Sequence, residues 1–225
     1  MVIMRAFLAV IFSLAGLSLF GQTNAMRVAP GAMEQLHTLL NQPAMVQPAG
    51  VMPLGKSWFR LETDAHVITD KAGFEQIAAV LIDLKNSAHI FNGKKSKLSG
   101  HIISQGADET IADFVMVSII AMGIHIKTPY RASVKNTEKD TTKSIIEIRQ
   151  LASDSSSNKE IKNLFAVRYA EEITIAGKTY TYIRIYAIDD VNTSILPGAK
   201  GILESNSATT NIEALQLIIA AAKTR

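Results

Sequence analysis

From Trp58 onward the apolar positions of this chain follow two periods, and the switch between them predicts the order of elements. Trp58, Arg60, Glu62 and Asp64 alternate with Phe59, Leu61 and Thr63, the period of a strand. Phe74, Ile77, Leu81 and Leu84 then recur at near-helical spacing, so a helix capped by Thr69 or Asp70 turns one side toward a core. A second short helix, Ser87 to Phe91, stops at Asn92-Gly93. Beyond it the period falls to two, in runs rich in Val, Ile, Thr, Phe and Tyr: Lys97 to Gln105, Thr110 to Ile126, Thr128 to Lys135, Lys143 to Leu151, Phe165 to Ile175 and Lys178 to Ile188. No helical stretch separates these runs, so parallel crossovers are excluded and the strands form an antiparallel meander. Ala176-Gly177 is short enough to make its flanking strands a hairpin.

The last stretch, Thr209 to Lys223, reads as a helix capped by Thr210 or Asn211. Glu213, Gln216 and Lys223 leave it one thin polar stripe, and a helix apolar over the rest of its girth needs a broad partner. A loop from Asp189 to Asn206 leads into it. At the other end, Pro30 to Leu40 predicts a short helix, and Pro43, Pro48 and Pro53 make Gln42 to Gly55 an extended arm without regular structure. The compact domain is expected to begin near Ser57.

Composition adds a destination. Arg5, the apolar run Ala6 to Gly21 and the small residues Thr23-Asn24-Ala25 have the pattern of a signal peptide cleaved after Ala25, so the protein is expected to be exported, to the periplasm. Residues 1–25 are then a leader, 26–56 an arm and 57–225 the domain. The apolar run is about 16 residues, short of the roughly 20 that span a bilayer. The chain has no cysteine, which excludes a lipid-modified anchor, disulfides and thiolate chemistry. Its formal charge of +3, from 23 basic and 20 acidic side chains, is too balanced for nucleic acid. The basic cluster Lys94-Lys95-Ser96-Lys97 fits a solvated turn, or peripheral contact with an anionic membrane surface.

One strand, two short helices, a run of antiparallel strands and a long apolar C-terminal helix is an order that resembles the START-like (SRPBCC, helix-grip) superfamily. The resemblance covers Ser57 to Arg225. Ile82-Asp83-Leu84 at the end of the first helix, Tyr169-Ala170-Glu171-Glu172 before a glycine hairpin, Tyr180-Thr181-Tyr182-Ile183-Arg184 and a Pro-Gly loop before the last helix look like family members, though none is diagnostic. It implies an α+β helix-grip fold, a curved antiparallel sheet wrapped around the C-terminal helix, with a cavity between them for a lipid, sterol or polyketide. Family members range from carriers to cyclases, so fold does not choose the activity.

Four strands each carry an arginine: Arg131, Arg149, Arg168 and Arg184. An inward column of them would suit a phosphate or carboxylate. Their neighbours on the same side, such as Ser133, Glu147 and Glu172, favour an outward, solvated face for the first three, and leave Arg184 as the best anion contact. Alternation then sends inward Tyr130, Ala132 and Val134; Ile146, Ile148 and Gln150; Val167, Tyr169 and Glu171; and Thr181, Ile183, Ile185 and Ala187. That lining is apolar with sparse polar groups, as in sites that orient a hydrophobic molecule. Packing directly on the helix explains it equally well. Glu171 stands out, because a bare carboxylate on an apolar face must pair, protonate or bind something. Met116 belongs to a run apolar on both faces, covered by the helix on one side and by the arm or a partner on the other. Of the last helix, Leu215 and Ile219 are among the residues expected to touch ligand. His37, His66, His89, His101 and His125 show no metal-ligand spacing, and neither a nucleophile elbow nor a Walker loop is present. No cofactor is implied.

Three readings remain open: a carrier of a lipid-like molecule without covalent catalysis, a cyclase-like or dehydratase-like enzyme using Glu171, Tyr130 or Tyr169, and an interaction module that docks through the arm.

Overall fold

The computed structural model describes residues 27–119, 125–151, 161–192 and 199–225, so the expected leader, residues 1–25, lies outside the described residues. Nine strands form one antiparallel sheet: β1 (Ala44–Met45), β2 (Gly50–Gly55), β3 (Trp58–Thr69), β4 (Ser96–Gln105), β5 (Glu109–Ile119), β6 (His125–Lys139), β7 (Lys143–Gln150), β8 (Ile161–Ile175) and β9 (Lys178–Asn192). Strands β4 to β9 are the expected meander, and β9 returns to pair with β3. The helices are α1 (Leu36–Leu39), α2 (Phe74–Leu81), α3 (Ser87–Ile90) and α4 (Ala199–Ala222). The sheet curves around α4 in the helix-grip arrangement.

The proline-bearing segment belongs to this sheet. Ala44 pairs with His66 and Gly50 with Glu62, so β1 and β2 both lie along the outer edge of β3. Pro53 is tolerated because an edge strand can spare an N–H, and the ladder slips between Pro53 and Gly55. Helix α4 begins at Ala199 where a loop was expected up to Asn206. Gly201, Ser205, Asn206 and Ser207 are weak helix formers, which hides this half from a propensity argument. In the folded chain the Ser207 and Thr209 hydroxyls donate to the Leu203 and Ser205 carbonyls, one turn back, at 2.6 and 2.8 Å.

The sheet buries both faces. On the concave face Ala65, Val67, Ile146 and Ile183 meet Ile77 and Leu81 of α2 and Leu215 and Ile218 of α4. On the convex face Ile68, Val167, Tyr169, Tyr182 and Tyr186 pack beneath Ala29, Ala32 and Leu39 of the N-terminal segment. This segment is tied down by polar contacts: the Ala29 N–H donates to the Tyr182 hydroxyl at 2.9 Å, and Arg184 Nη1 donates to the Arg27 carbonyl at 2.7 Å. The convex cover does not extend to β5, whose outward Asp113 pairs with Arg131 and whose Val115 is exposed. No described helix is long and apolar enough to cross a membrane.

One contact ties α4 to the rim of the sheet. The Glu213 carboxylate accepts from the backbone N–H groups of Lys94, Lys95 and Ser96 at 2.7, 2.9 and 3.2 Å. A Cβ on Gly93 would stand 2.1 Å from Glu213 Oε2, so only glycine permits the approach. Because water can replace this acceptor at an exposed turn, Glu213→Ala is expected to cost about 1–2 kcal/mol. Gly93→Ala should cost a similar amount, and the double variant no more than either alone, as read in urea melts; additive losses would mean that the two residues act separately.

A candidate ligand cavity between the sheet and α4

The two halves of α4 do different work. Leu215, Ile218, Ile219 and Ala222 pack into the concave core. The earlier half stands off the sheet, and Ile202, Leu203, Asn206, Ser207, Thr210, Asn211 and Ala214 roof a partly open cavity of about 250 Å³. The floor comes from inward positions of the strands: Met116 and Ser118 of β5, Thr128 and Tyr130 of β6, Ile148 of β7, Ala166 and Arg168 of β8, Ile185, Ala187 and Asp189 of β9, and Leu61 and Thr63 of β3. Phe91, Leu98, Ile161 and Leu164 complete the apolar wall, and Lys95 and Lys97 stand at the rim. The volume lies near the lower end for small-molecule sites, so a single-chain or compact ring molecule fits with less expansion than a two-chain lipid.

Three ionisable groups mark the interior. Burial lowers the pKa of the Arg168 guanidinium, partly offset by Tyr130 beside it. Burial raises the Tyr130 phenol, Arg168 opposes the rise, and Asp189 adds to it, so Tyr130 lies within electrostatic reach of both charges. Its ring also stacks on Phe114 at 5.3 Å between centroids. Burial, and then the charge of Asp190, push Asp189 up to about 7. Asp189 Oδ1 has no hydrogen-bond partner among the described residues. Asp190, one residue on and facing the other way, is held by Arg60 through bonds of 2.7 and 3.0 Å. A carboxyl that titrates near neutrality can exchange a proton with a bound molecule. Among the described residues no histidine lines the cavity, and no cluster of three or more His, Asp or Glu is placed to hold a metal.

Tyr130, Met116 and Ile185 are in the cavity wall. Gln150 points to the concave side but spends its Oε1 on the Leu164 N–H at 3.1 Å, at the irregularity in β8. Ile183, Leu215 and Ile219 lie in the packed core and not in the wall. Tyr169, Glu171 and Arg184 face the convex side, opposite to the expectation for the first two. Tyr169 belongs to the convex core and donates its hydroxyl to Glu171. Arg184 donates to Asp64 at 2.8 and 2.6 Å, which removes it as an anion contact in the cavity.

The reversal on β8 has a simple cause. Mixed charge around Arg168 points to solvent, but the hairpin register decides the face. The turn has Ala176 and Gly177 at φ of 51° and 77°, placing Ile175 opposite Lys178, and pairing continues back to Arg168 opposite Ile185. Residues directly opposite share a face, so an inward Ile185 requires an inward Arg168. That signal was present in the chain. Asp189 was missed because β9 was expected to end at Ile188, whereas it continues to Asn192 with the same alternation.

No protein-family model matches the chain, and no curated protein matches it. Solved structures do. Human StAR-related lipid transfer protein 5 superposes with a TM-score of 0.54 at 11% identity, over 79% of this chain and 87% of its own. The Zhui aromatase/cyclase from a Streptomyces species gives 0.51 at 15% identity, over 74% and 95%. A STAR-related lipid transfer protein from Xanthomonas axonopodis gives 0.51 at 8% identity, over 78% and 99%. At these identities the likeness is one of fold.

Proposed function

We propose, from the START-like helix-grip fold that this chain has, that the protein binds and carries a largely apolar, lipid-like small molecule between its sheet and α4, without covalent catalysis. The observation that carries this reading is the cavity, where apolar side chains dominate and a few polar groups converge. The nearby fold of two lipid transfer proteins supports it. Export through the leader, and transient contact of Lys94, Lys95 and Lys97 with an anionic membrane surface, belong to the same reading. The purified protein is expected to release a co-purified apolar molecule into organic solvent and to show the corresponding mass in a native spectrum. A protein that carries nothing, and that also fails to bind decanol or decanoate saturably, would overturn it.

A catalytic reading draws support from Asp189, whose pKa near 7 suits acid–base work beside Tyr130. Glu171 and Tyr169 no longer serve it, because they face away from the cavity. It is separated from carrying by comparing the chemical structure of the released molecule with the one supplied: an unchanged molecule supports carrying.

A further inference from the structure

Every other arginine placed in the sheet has a carboxylate of its own. Arg60 holds Asp190, Arg131 holds Asp113 and Arg184 holds Asp64, each through Nε and Nη2 at 2.6–3.0 Å, and Arg149 holds Glu147 through Nε. Arg168 alone among them has none within the described residues. It is also the one that lines the cavity.

Its surroundings hold it in place without neutralising it. The guanidinium lies over the Phe91 ring at 4.7 Å from the centroid, and Nη1 donates to the Leu81 carbonyl at 3.4 Å. These contacts use one face and one nitrogen. The Nε–Nη2 edge remains, the same edge that Arg60, Arg131 and Arg184 present to their aspartates. Asp189 cannot reach it. That residue lies four positions beyond Ile185, the β9 partner of Arg168, which at ~3.3 Å per strand residue is roughly 13 Å away. A cation removed from water and left without an anion is costly, whereas a fork that meets an oxyanion edge-on forms two strong hydrogen bonds.

We propose that Arg168 is the head-group site of this cavity, and that the ligand is a compact or single-chain amphiphile whose carboxylate or phosphate docks on the Nε–Nη2 edge. Tyr130 lines the same cavity within electrostatic reach of the guanidinium, and its hydroxyl is the second donor for the same anion. The apolar remainder of the ligand lies along Met116, Ile148 and Ile185 beneath α4. This inference rests on the cavity-binding reading above, and deepens it by naming the chemical class of the ligand.

The test uses three probes that share a ten-carbon chain: decanoate, decyl phosphate and decanol, titrated calorimetrically into the mature protein at pH 8. The wild type is expected to bind at least one of the anions about tenfold or more tightly than the alcohol, and the preferred anion tells carboxylate from phosphate. Arg168→Gln should lose about tenfold or more for that anion and leave decanol within about twofold. Arg149→Gln, on the opposite face, should change neither. Equal affinity of the wild type for anion and alcohol, or an equal loss for both in Arg168→Gln, overturns the head-group assignment while the cavity reading stands. Binding of none of the three overturns both. If Arg168→Gln does not fold, the wild-type ratio of anion to alcohol decides alone.

Discussion

Arg184→Met is expected to lower the stability of the folded protein by about 3–5 kcal/mol, the usual cost of stripping one partner from a buried ion pair. The Arg184 and Asp64 side chains are only 15% and 6% exposed, so removing the guanidinium leaves a carboxylate in low dielectric without its counter-ion. The Arg27 carbonyl loses its donor as well, and with it part of the hold on the N-terminal segment. The double variant Asp64→Leu/Arg184→Met should recover most of the loss, since a buried pair and a well-packed apolar pair of similar size are close in free energy. Urea melts measure both. A single-variant loss below about 1 kcal/mol, or a double variant no better than the single, would show that the pair is not what holds this face together.

Asp189→Asn should act in the opposite direction and depend on pH. The carboxyl has a pKa of about 7 in the folded protein against an ordinary 3.8, so the native state keeps a proton that the unfolded chain has released. Stability therefore falls as pH rises from about 4 to about 7, and levels off above that. The difference amounts to on the order of 4 kcal/mol between the ends of this window. An asparagine has nothing to titrate, so the variant should match the wild type near pH 4 and be more stable by several kcal/mol at pH 8, with a melting temperature several degrees higher. Asp70, Asp83 and Asp113 are held below the ordinary range, mainly by their hydrogen-bond partners, and give the reverse slope at low pH. They are common to both proteins and cancel in the difference. A variant that is no more stable than the wild type at pH 8 would mean that Asp189 is ionised without penalty.

A costly carboxyl and a cation with no carboxylate partner among the described residues, in one cavity, lower stability and fit the proposed binding site. Replacing both by apolar residues would give a better core and nothing to orient a ligand.

Much of this was legible in the chain. The meander from β4 to β9, the helix from Phe74, the Ala176-Gly177 hairpin and the apolar end of α4 follow from period, β-branched composition and turn chemistry. So do the inward positions of Tyr130 and Ile185, whereas Met116 lies in a run apolar on both faces, whose alternation does not choose between them. The hairpin register also contains the inward Arg168, against the outward face that the charge on neighbouring residues predicts. Other features were not legible. Gln42 to Gly55 looks irregular by its prolines, yet an edge strand has N–H groups to spare. Ala199 to Asn206 looks like part of a loop by propensity, yet it is helical and helps to roof a cavity.

The chain by itself determined the elements and their order, because these depend on contacts a few residues apart: alternation, helical spacing, capping and a two-residue turn. It also determined the charge inventory from which any site is made. Only the tertiary structure decided which of these charges find a partner. The N-terminal segment covers the convex side and gives Tyr169, Tyr182 and Arg184 partners there, more than a hundred residues away in sequence. Arg168, on the other side of the same sheet, faces the cavity with no carboxylate partner among the described residues. Which charge is left without a partner depends on which distant segments meet, and no local pattern carries that.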